Sequence, residues 1–373
     1  MGRTVVVSDL HLASTGENDL ARVPVFQDRL LAEVEGAERV VLLGDIVELR
    51  DRPIGDALAV AAPFFDALGE AAAGAEVVFV PGNHDHHLFS SWRESERLRA
   101  GSGPMELEQI AKVTSGPIRV LAERLPDSEV LLAYPGIWLA EGVYATHGHY
   151  LDVHLTVPTF ERLGVGAVER VIGGLPAHDR TPDDYERVLA PLYAFLFSLA
   201  QSGGSASSGP GPSARVWAAL AGGQSGFERV KGMLLGSVAL PGAIAVANRL
   251  GIGRFNPDLS LAEISRATLA AMIEAVERLE IEADTVIFGH THRRGPQPGE
   301  AGWKTKSGTK VVNTGSWVYS PGLLRSTSAE SPYWPGTIAV LDGAEVELRF
   351  LLDDAPHAQL RHGLEDAAKL TAG

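Results

Sequence analysis

Asn83, His84 and Asp85 stand side by side after a β-prone run, Val77-Val78-Phe79-Val80, that stops at Pro81-Gly82. An amide oxygen, an imidazole and a carboxylate can hold a metal or move a proton, and strand ends are where open α/β sheets bind ligands. The same residue types also stabilise turns, so the trio alone leaves both readings open. Other strand ends repeat the pattern. Asp9 and His11 follow the run Thr4 to Val7, and on an extended segment residues two apart face the same way and can grip one ion. Asp45 follows Arg39 to Leu43, His147 follows Val143 to Thr146, and His290 and His292 follow Thr285 to Phe288.

Asp9, His11, Asp45, Asn83, His147, His290 and His292 are seven oxygen or imidazole ligands, about enough for two divalent ions. The mixture suits Mn first, with Fe, Zn, Co or Ni as alternatives, better than Mg or Ca. A shared carboxylate and a bridging hydroxide would hold two metals ~3.5–4 Å apart, the arrangement used for in-line displacement at phosphorus.

The elements that must position these residues follow from periodicity. Val25, Phe26, Leu30, Leu31 and Val34 recur at helical spacing, and an Ala-rich helical stretch runs from Asp56 to Ala73, so three strands alternate with two helices. From Leu88 to Ala140 the pattern loosens. It predicts a helix around Met105 to Lys112, strands near Ile118 to Leu121 and Val130 to Ala133, and a turn at Tyr134-Pro135-Gly136. Thr181-Pro182-Asp183-Asp184 starts a helix with a cap residue, a proline and acids in the first turn. Gln201 to Ser213 is low in complexity, and the apolar stretch Gly232 to Asn248 is broken by Gly236, Pro241 and Gly242. Ser260-Leu261-Ala262-Glu263 opens a further helix with a capping-box pattern. Lys310 to Val312 leads into Asn313-Thr314-Gly315-Ser316-Trp317, and Thr337 to Leu341 with Glu345 to Leu352 reads as a closing hairpin.

Of 373 residues, 47 are acidic and 32 basic, a formal charge of −15 that argues against non-specific binding to nucleic acid or anionic lipid. With no cysteine, thiolate metal sites, iron–sulfur clusters and disulfides are excluded. The N-terminus enters a strand pattern without the features of a signal peptide, and Gly232 to Asn248 falls short of the ~20 residues that span a bilayer, so the expected location is cytoplasmic.

In order, the motifs D-L-H, G-D-x-x-E, G-N-H-D, H-G-H and G-H-T-H resemble those of calcineurin-like metallophosphoesterases, from Thr4 to about Leu352 apart from an insertion. The resemblance implies an α/β sandwich of two sheets flanked by helices, with a helical cap insertion. It divides the chain into a catalytic domain (1–150 and 260–352), a cap (151–259) and a peripheral tail (353–373). It further implies that Asp9, His11 and His292 hold one metal, Asn83, His147 and His290 the other, and that Asp45 bridges them. His84 would protonate the leaving oxygen or stabilise its charge, with Asp85 orienting its imidazole. The implied function is hydrolysis of a phosphomonoester, phosphodiester or phosphoanhydride by attack of the bridging hydroxide.

Around this centre, Arg50, Arg52, Arg293 and Arg294 are candidate phosphate contacts, since guanidinium suits phosphate oxygens, against a reading as solvated charge. His149 and Asp152 follow a ligand closely and are candidates for its immediate surroundings or for substrate. His86, His87 and His154 read as surface or packing residues, and Trp92, Trp217 and Trp303 as packing. His178, His357 and His362 receive no role. The apolar insertion is similar in arrangement to the cap of UDP-2,3-diacylglucosamine hydrolases, which points to a nucleotide-linked or lipid-linked pyrophosphate and to lipid or membrane-surface contact, against plain helix packing or a dimer contact. That family usually has Arg where this chain has His84, which leaves the substrate open. The remaining alternatives are a non-catalytic metal-binding scaffold, disfavoured because every ligand is in place, and a nuclease, disfavoured by the acidic balance.

Overall fold

Thr4–Val7 (β1), Arg39–Leu42 (β2) and Glu76–Phe79 (β3) pair in parallel, with Val5 opposite Val40 and Val40 opposite Val77. The computed structural model that shows this describes residues 2–16, 18–98, 103–176, 180–202, 248–249, 255–256, 258, 260–324, 326 and 328–361. Pro24–Val34 (α1) and Ile54–Ala71 (α2) connect the three strands. Proline at the first turn of α1 suits a position whose N–H has no intrahelical partner. In α2, Ala57, Leu58, Ala61, Phe64, Phe65 and Leu68 are buried at spacings of three and four, one face of a helix.

Beyond β3 come His87–Arg97 (α3), Glu108–Lys112 (β4), Pro117–Ala122 (α4), Glu129–Ala140 (β5), Val143–Thr146 (β6), Thr285–Phe288 (β7), Lys310–Asn313 (β8), Thr337–Asp342 (β9) and Glu345–Phe350 (β10). The hydrogen-bonded path runs β10-β9-β1-β2-β3-β5-β6-β7-β8, with β4 pairing to β5. Alternation along the strands separates two cores. Val5, Val7, Val40, Leu42, Val77 and Phe79 join residues of α1 and α2. Val6, Val41 and Val78 join Leu131, Ile137, Leu139, Val143, Ile287, Ala339 and Leu341, all contributed by strands.

A core made by strands from both ends of one path requires the sheet to curl so that its halves face each other. The expected sandwich is therefore built from one continuous sheet, and β5 is its joint. Residues Glu129 to Leu132 pair in parallel with β3, whereas Gly136 to Ala140 pair antiparallel with β6.

Three short segments differ from the sequence reading. Glu108–Lys112 is a strand because β5 offers it an edge, which overrides the helical leaning of Glu-Gln-Ile-Ala-Lys. Pro117–Ala122 is a helix, started by Pro117 after Gly116 and burying Ile118 and Leu121 three apart. Tyr134-Pro135-Gly136 lies inside β5 rather than in a turn, and Pro135 is accommodated at an irregularity where Glu108 faces both Pro135 and Gly136. The tail is not wholly peripheral either, since Ala355 and Leu360 are buried in the helix-covered core and His357 bonds the Tyr319 hydroxyl at 2.9 Å.

The chain divides into two units, Met1–His149 with Phe197–Ser207 and Ile281–Gly373, and Tyr150–Leu196 with Ser208–Glu280. The second unit contains Phe160–Ile172 (α5), most of Pro182–Ser202 (α6) and Leu261–Arg278 (α7). The α7 helix thus groups with the insertion, 21 residues past the expected boundary at 259, and residues from Phe197 group with the first unit. The two helix starts are capped in part as read, with Ser260 N donating to Asp258 at 2.8 Å rather than back to Glu263. The Asp184 carboxylate accepts from Thr181 N at 3.0 Å, and the Ser260 hydroxyl accepts from Glu263 N at 3.2 Å. Val165, Tyr185, Val188, Leu189, Leu192 and Leu196 form this unit's own core. Among the described residues no helix is long and apolar enough to cross a membrane. The stretch Gly232 to Asn248, save Asn248, lies outside the described residues, as do 203–213, Trp217, His178 and His362.

Candidate metal centre

The ligands sit on sharp turns rather than extended chain. Asp9, His11, Asp45, His290 and His292 all have positive φ, between 45° and 64°. Non-glycine residues avoid this left-handed region, and it is tolerated where surrounding bonds over-determine the backbone. The expectation that Asp9 and His11 lie on an extended segment is thus corrected. Parallel backbone bonds fix the turns instead, from Asp9 N to Gly44 O at 3.0 Å and from His11 N to Asp45 O at 2.8 Å.

The motif glycines are required by proximity. A Cβ on Gly82 would lie 2.4 Å from Asp45 Oδ1, one on Gly289 2.4 Å from Asp9 Oδ2, and one on Gly44, at φ +83°, 2.4 Å from the His147 ring.

Three sets of side chains converge within a metal's reach: Asp9, His11 and His292; His11, Asp45 and His84; and Asp45, His147 and His290. Asp45 joins two of them, with Oδ2 at 3.7 Å from His11 Nε2 and 3.2 Å from His147 Nε2. Asp9 Oδ1 is 3.4 Å from His292 Nε2, and the Nε2 atoms of His11 and His292 are 3.1 Å apart. Asn83 Oδ1 faces His290 Nδ1 at 3.1 Å and His147 Nε2 at 3.3 Å. Turned over, the Asn83 amide would place its nitrogen 3.0 Å from Asp45 Oδ2 and its oxygen 3.2 Å from Arg50. Hydrogen bonding alone favours the turned amide, and a cation among these lone pairs favours the oxygen inward. The centre therefore fits metal, with one anionic and two neutral nitrogen ligands on one side, an amide and two imidazoles on the other, and Asp45 between.

The cluster's electrostatics show the same demand for positive charge. Burial disfavours a charge on His11, yet its bond to Glu48 and the charges of Asp45, Glu48 and Asp9 outweigh it and hold the imidazole up at about 9. Burial likewise opposes charge on His147, but Asp45 and Asp9 hold it up at about 10. Asp45 is itself buried, which would raise it, and His147, His84 and His11 pull it well below the usual carboxylate range.

Glu48 organises the imidazoles. Its Oε2 meets His84 Nδ1 at 2.6 Å and His11 Nδ1 at 3.1 Å, which leaves the Nε2 atom of each turned elsewhere. The His84 side chain is 18% exposed against 4% for Glu48, so the imidazole can meet a solute that the carboxylate cannot. Asp85 was expected in this role and does not have it. Its carboxylate accepts backbone N–H bonds from Gly82 at 2.6 Å and Ile46 at 2.8 Å, which fastens the Asp45 turn to the Asn83 turn. The signal for Glu48 in the sequence is the last letter of G-D-x-x-E.

Of the expected phosphate contacts, Arg50 is buried beside the Asn83 amide and Arg52 donates to Ser14 O at 3.3 Å. Arg293 and Arg294 are engaged elsewhere. Arg293 pairs with Glu300 and lies 4.9 Å over Trp303, and buried Arg294 bonds Asp353 at 2.5 Å and lies over Phe350 at 4.6 Å. His149 is only 1% exposed and bonds the Tyr134 hydroxyl at 2.9 Å, so it cannot touch substrate as drawn from sequence. His86 packs edge-on against Phe89 and Tyr134, and His87 stacks on Phe197 at 3.8 Å. Trp303 packs against Phe288, as expected.

Residues 2–174 match the family described as calcineurin-like phosphoesterase. No curated protein matches the chain. Among 32 matching chains of solved structures is a dimetal phosphatase from Danio rerio, 14% identical, covering 93% of this chain and 95% of that one at a TM-score of 0.32. The segment similar to that family carries the turns that bring Asp9, His11, Asp45, Asn83 and His147 together.

Proposed function

We propose that the protein is a dinuclear metal-dependent phosphoesterase, with Asp9, His11 and His292 holding one divalent cation, Asn83, His147 and His290 a second, and Asp45 shared. The observation that carries this reading is the placement of Asp45 Oδ2 between His11 and His147, each from a different ligand set. Bound cations supply charge neutralisation at a phosphate group and acidification of water.

The chain's own groups do the rest. His84, with Nδ1 bonded to Glu48, presents Nε2 to a leaving oxygen and donates a proton there. Glu48 keeps that imidazole oriented and offsets the positive field around it. The His84 backbone N–H donates to Asp45 Oδ1 at 2.8 Å, so the same turn fixes both the acid and the shared ligand. Arg50, next to Asn83, supplies a guanidinium for a phosphate oxygen.

The test is hydrolysis by manganese-loaded protein of matched monoester, diester, nucleotide-diphosphate and lipid-anchored pyrophosphate substrates, with Asp45→Asn as the blank. Turnover of one class, absent from the blank, is the expected result and names the substrate. Two bound metals with no turnover of any class would overturn the enzymatic reading in favour of a binding scaffold.

A further inference from the structure

The Asn313-Thr314-Gly315-Ser316-Trp317 loop, conspicuous in the sequence, has no part in the chemistry above, yet it fastens one side of the centre at three points. Trp317 N donates to Asp9 O at 3.0 Å. Asn313 Nδ2 donates to Gly289 O at 2.7 Å and to Thr291 Oγ1 at 3.0 Å, holding the turn that carries His290 and His292. Thr314 Oγ1 lies 2.7 Å from Ser8 Oγ, and Ser8 Oγ in turn donates to Asp9 Oδ2. Ser8, Asp9 and Thr314 are all completely buried, out of reach of bulk solvent.

The hydrogens can be assigned by counting. Ser8 has one hydroxyl hydrogen, and an ionised carboxylate only accepts, so that hydrogen goes to Asp9 Oδ2. Ser8 Oγ then accepts, and the neighbour able to donate is the Thr314 hydroxyl. Phe288 O competes for that hydrogen from a longer 3.2 Å and already accepts from Thr314 N at 2.9 Å, so Ser8 Oγ, at 2.7 Å, is the better acceptor. Both hydroxyls thus point toward the carboxylate, a chain in which each bond polarises the next. His290 N adds a bond shared between Asp9 Oδ2 at 3.0 Å and Oδ1 at 3.1 Å. The hydroxyl relay thus engages Oδ2, and Oδ1 is the oxygen directed at His292 and His11, 3.4 Å and 4.0 Å away.

We propose that Ser8 and Thr314 are positioning residues, a two-hydroxyl relay that holds Asp9 Oδ2 and so presents Oδ1 as the ligand to the cation on the Asp9, His11 and His292 side. This rests on the metal-binding reading above. It assigns the relay to one of two cations, so its loss must weaken one binding event selectively.

The experiment is calorimetric titration of metal-stripped, full-length protein with Mn²⁺, comparing wild type, Thr314→Val, Thr314→Ser and Ser8→Ala, with His292→Ala identifying the Asp9-side event. Melting temperatures of the metal-free proteins are measured alongside. Groups that orient a metal ligand from behind are worth about 10–100-fold in affinity. Thr314→Val is therefore expected to weaken the Asp9-side event by about tenfold or more and leave the other unchanged, and Thr314→Ser, which restores the hydroxyl, to rescue it. Ser8→Ala breaks the same relay with a smaller change and decides the matter if Thr314→Val does not fold. Wild-type affinity in both hydroxyl-less variants, equal weakening of both events, or failure of Thr314→Ser to rescue would overturn the relay. A wild type that binds no Mn²⁺ would overturn the metal centre itself, and the relay with it.

Discussion

His147, buried in the first unit, and His154, partly buried in the second, are driven in opposite directions by their surroundings. Burial works against charge on His147, but Asp45 and Asp9 dominate and hold it at about 10. Burial works the same way on His154, and there the Arg180, Arg278 and Arg162 charges reinforce it and push the imidazole down to about 3. His147 ends on a shared carboxylate and an amide oxygen, the environment of a metal ligand. His154 Nε2 ends on the Tyr185 hydroxyl at 2.7 Å, and Tyr185 stacks on Tyr150 at 4.7 Å, the environment of a neutral packing group. The residue type is the same in both units. What separates ligand from filler is the sign of the charge packed around it.

The comparison is broken most severely by removing negative charge from the first unit. Glu48→Gln keeps the shape that touches His84 and His11 and removes the charge that orients them. Turnover is expected to fall by about 10–100-fold, the scale of losing a group that orients metal ligands, with the pH profile of kcat shifted. Asp85→Asn is the control. Because Asp85 serves backbone N–H groups of Gly82 and Ile46, its loss should register first in thermal stability. If Asp85→Asn shifted the pH profile and Glu48→Gln did not, Asp85 would be the orienting carboxylate after all.

A smaller effect is expected from the backbone. Gly44→Ala must accept φ +83° and a Cβ 2.4 Å from the His147 ring, which no rotamer relieves. Overpacking of this kind costs about 1–3 kcal/mol, measured by chemical denaturation. Mn²⁺ affinity should fall with it if the displaced ring holds the cation as proposed. Retained affinity at reduced stability would mean that His147 is not needed to hold the cation. Gly36 has nearly the same φ, +72°, with nothing within 4 Å, and so isolates the conformational cost from the clash.

That the seven candidate ligands converge was legible because each follows a β-branched run, and burial makes such runs strands whatever the tertiary detail. Their left-handed turns were not, since Asp9, His11 and Asp45 are not residues that announce positive φ as glycine does. Glu48 escaped because its partner His84 comes from another strand 36 residues on, whereas Asp85 is adjacent in sequence and turned away in space. Arg293 and Arg294 read as phosphate ligands only until Glu300 and Asp353 fold against them. Between Glu108 and Ala122 the helix and strand assignments were exchanged, in segments of five and six residues whose own preferences are weaker than one sheet edge or one proline.

The smallest expected effect sharpens the other side of the comparison. The folded pKa of His154, about 3, lies below its ordinary value of 6.5. Above pH 6.5 neither folded nor unfolded chain binds the proton, and no penalty exists. Between 6.5 and 3 the unfolded chain takes up a proton that the folded one refuses, so stability falls as pH falls, and below 3 the loss is complete. The ceiling on the slope is one proton, about 1.4 kcal/mol per pH unit, and the partly exposed arginines bring it lower through solvent screening. Urea unfolding of the full chain at pH 7, 6 and 5, followed by helical signal, should show wild type losing more stability than His154→Gln, whose amide can still bond Tyr185 but cannot titrate. Parallel losses in the two proteins would show that the arginine-flanked imidazole does not resist protonation, and the electrostatic contrast between the two units would fail on its own terms.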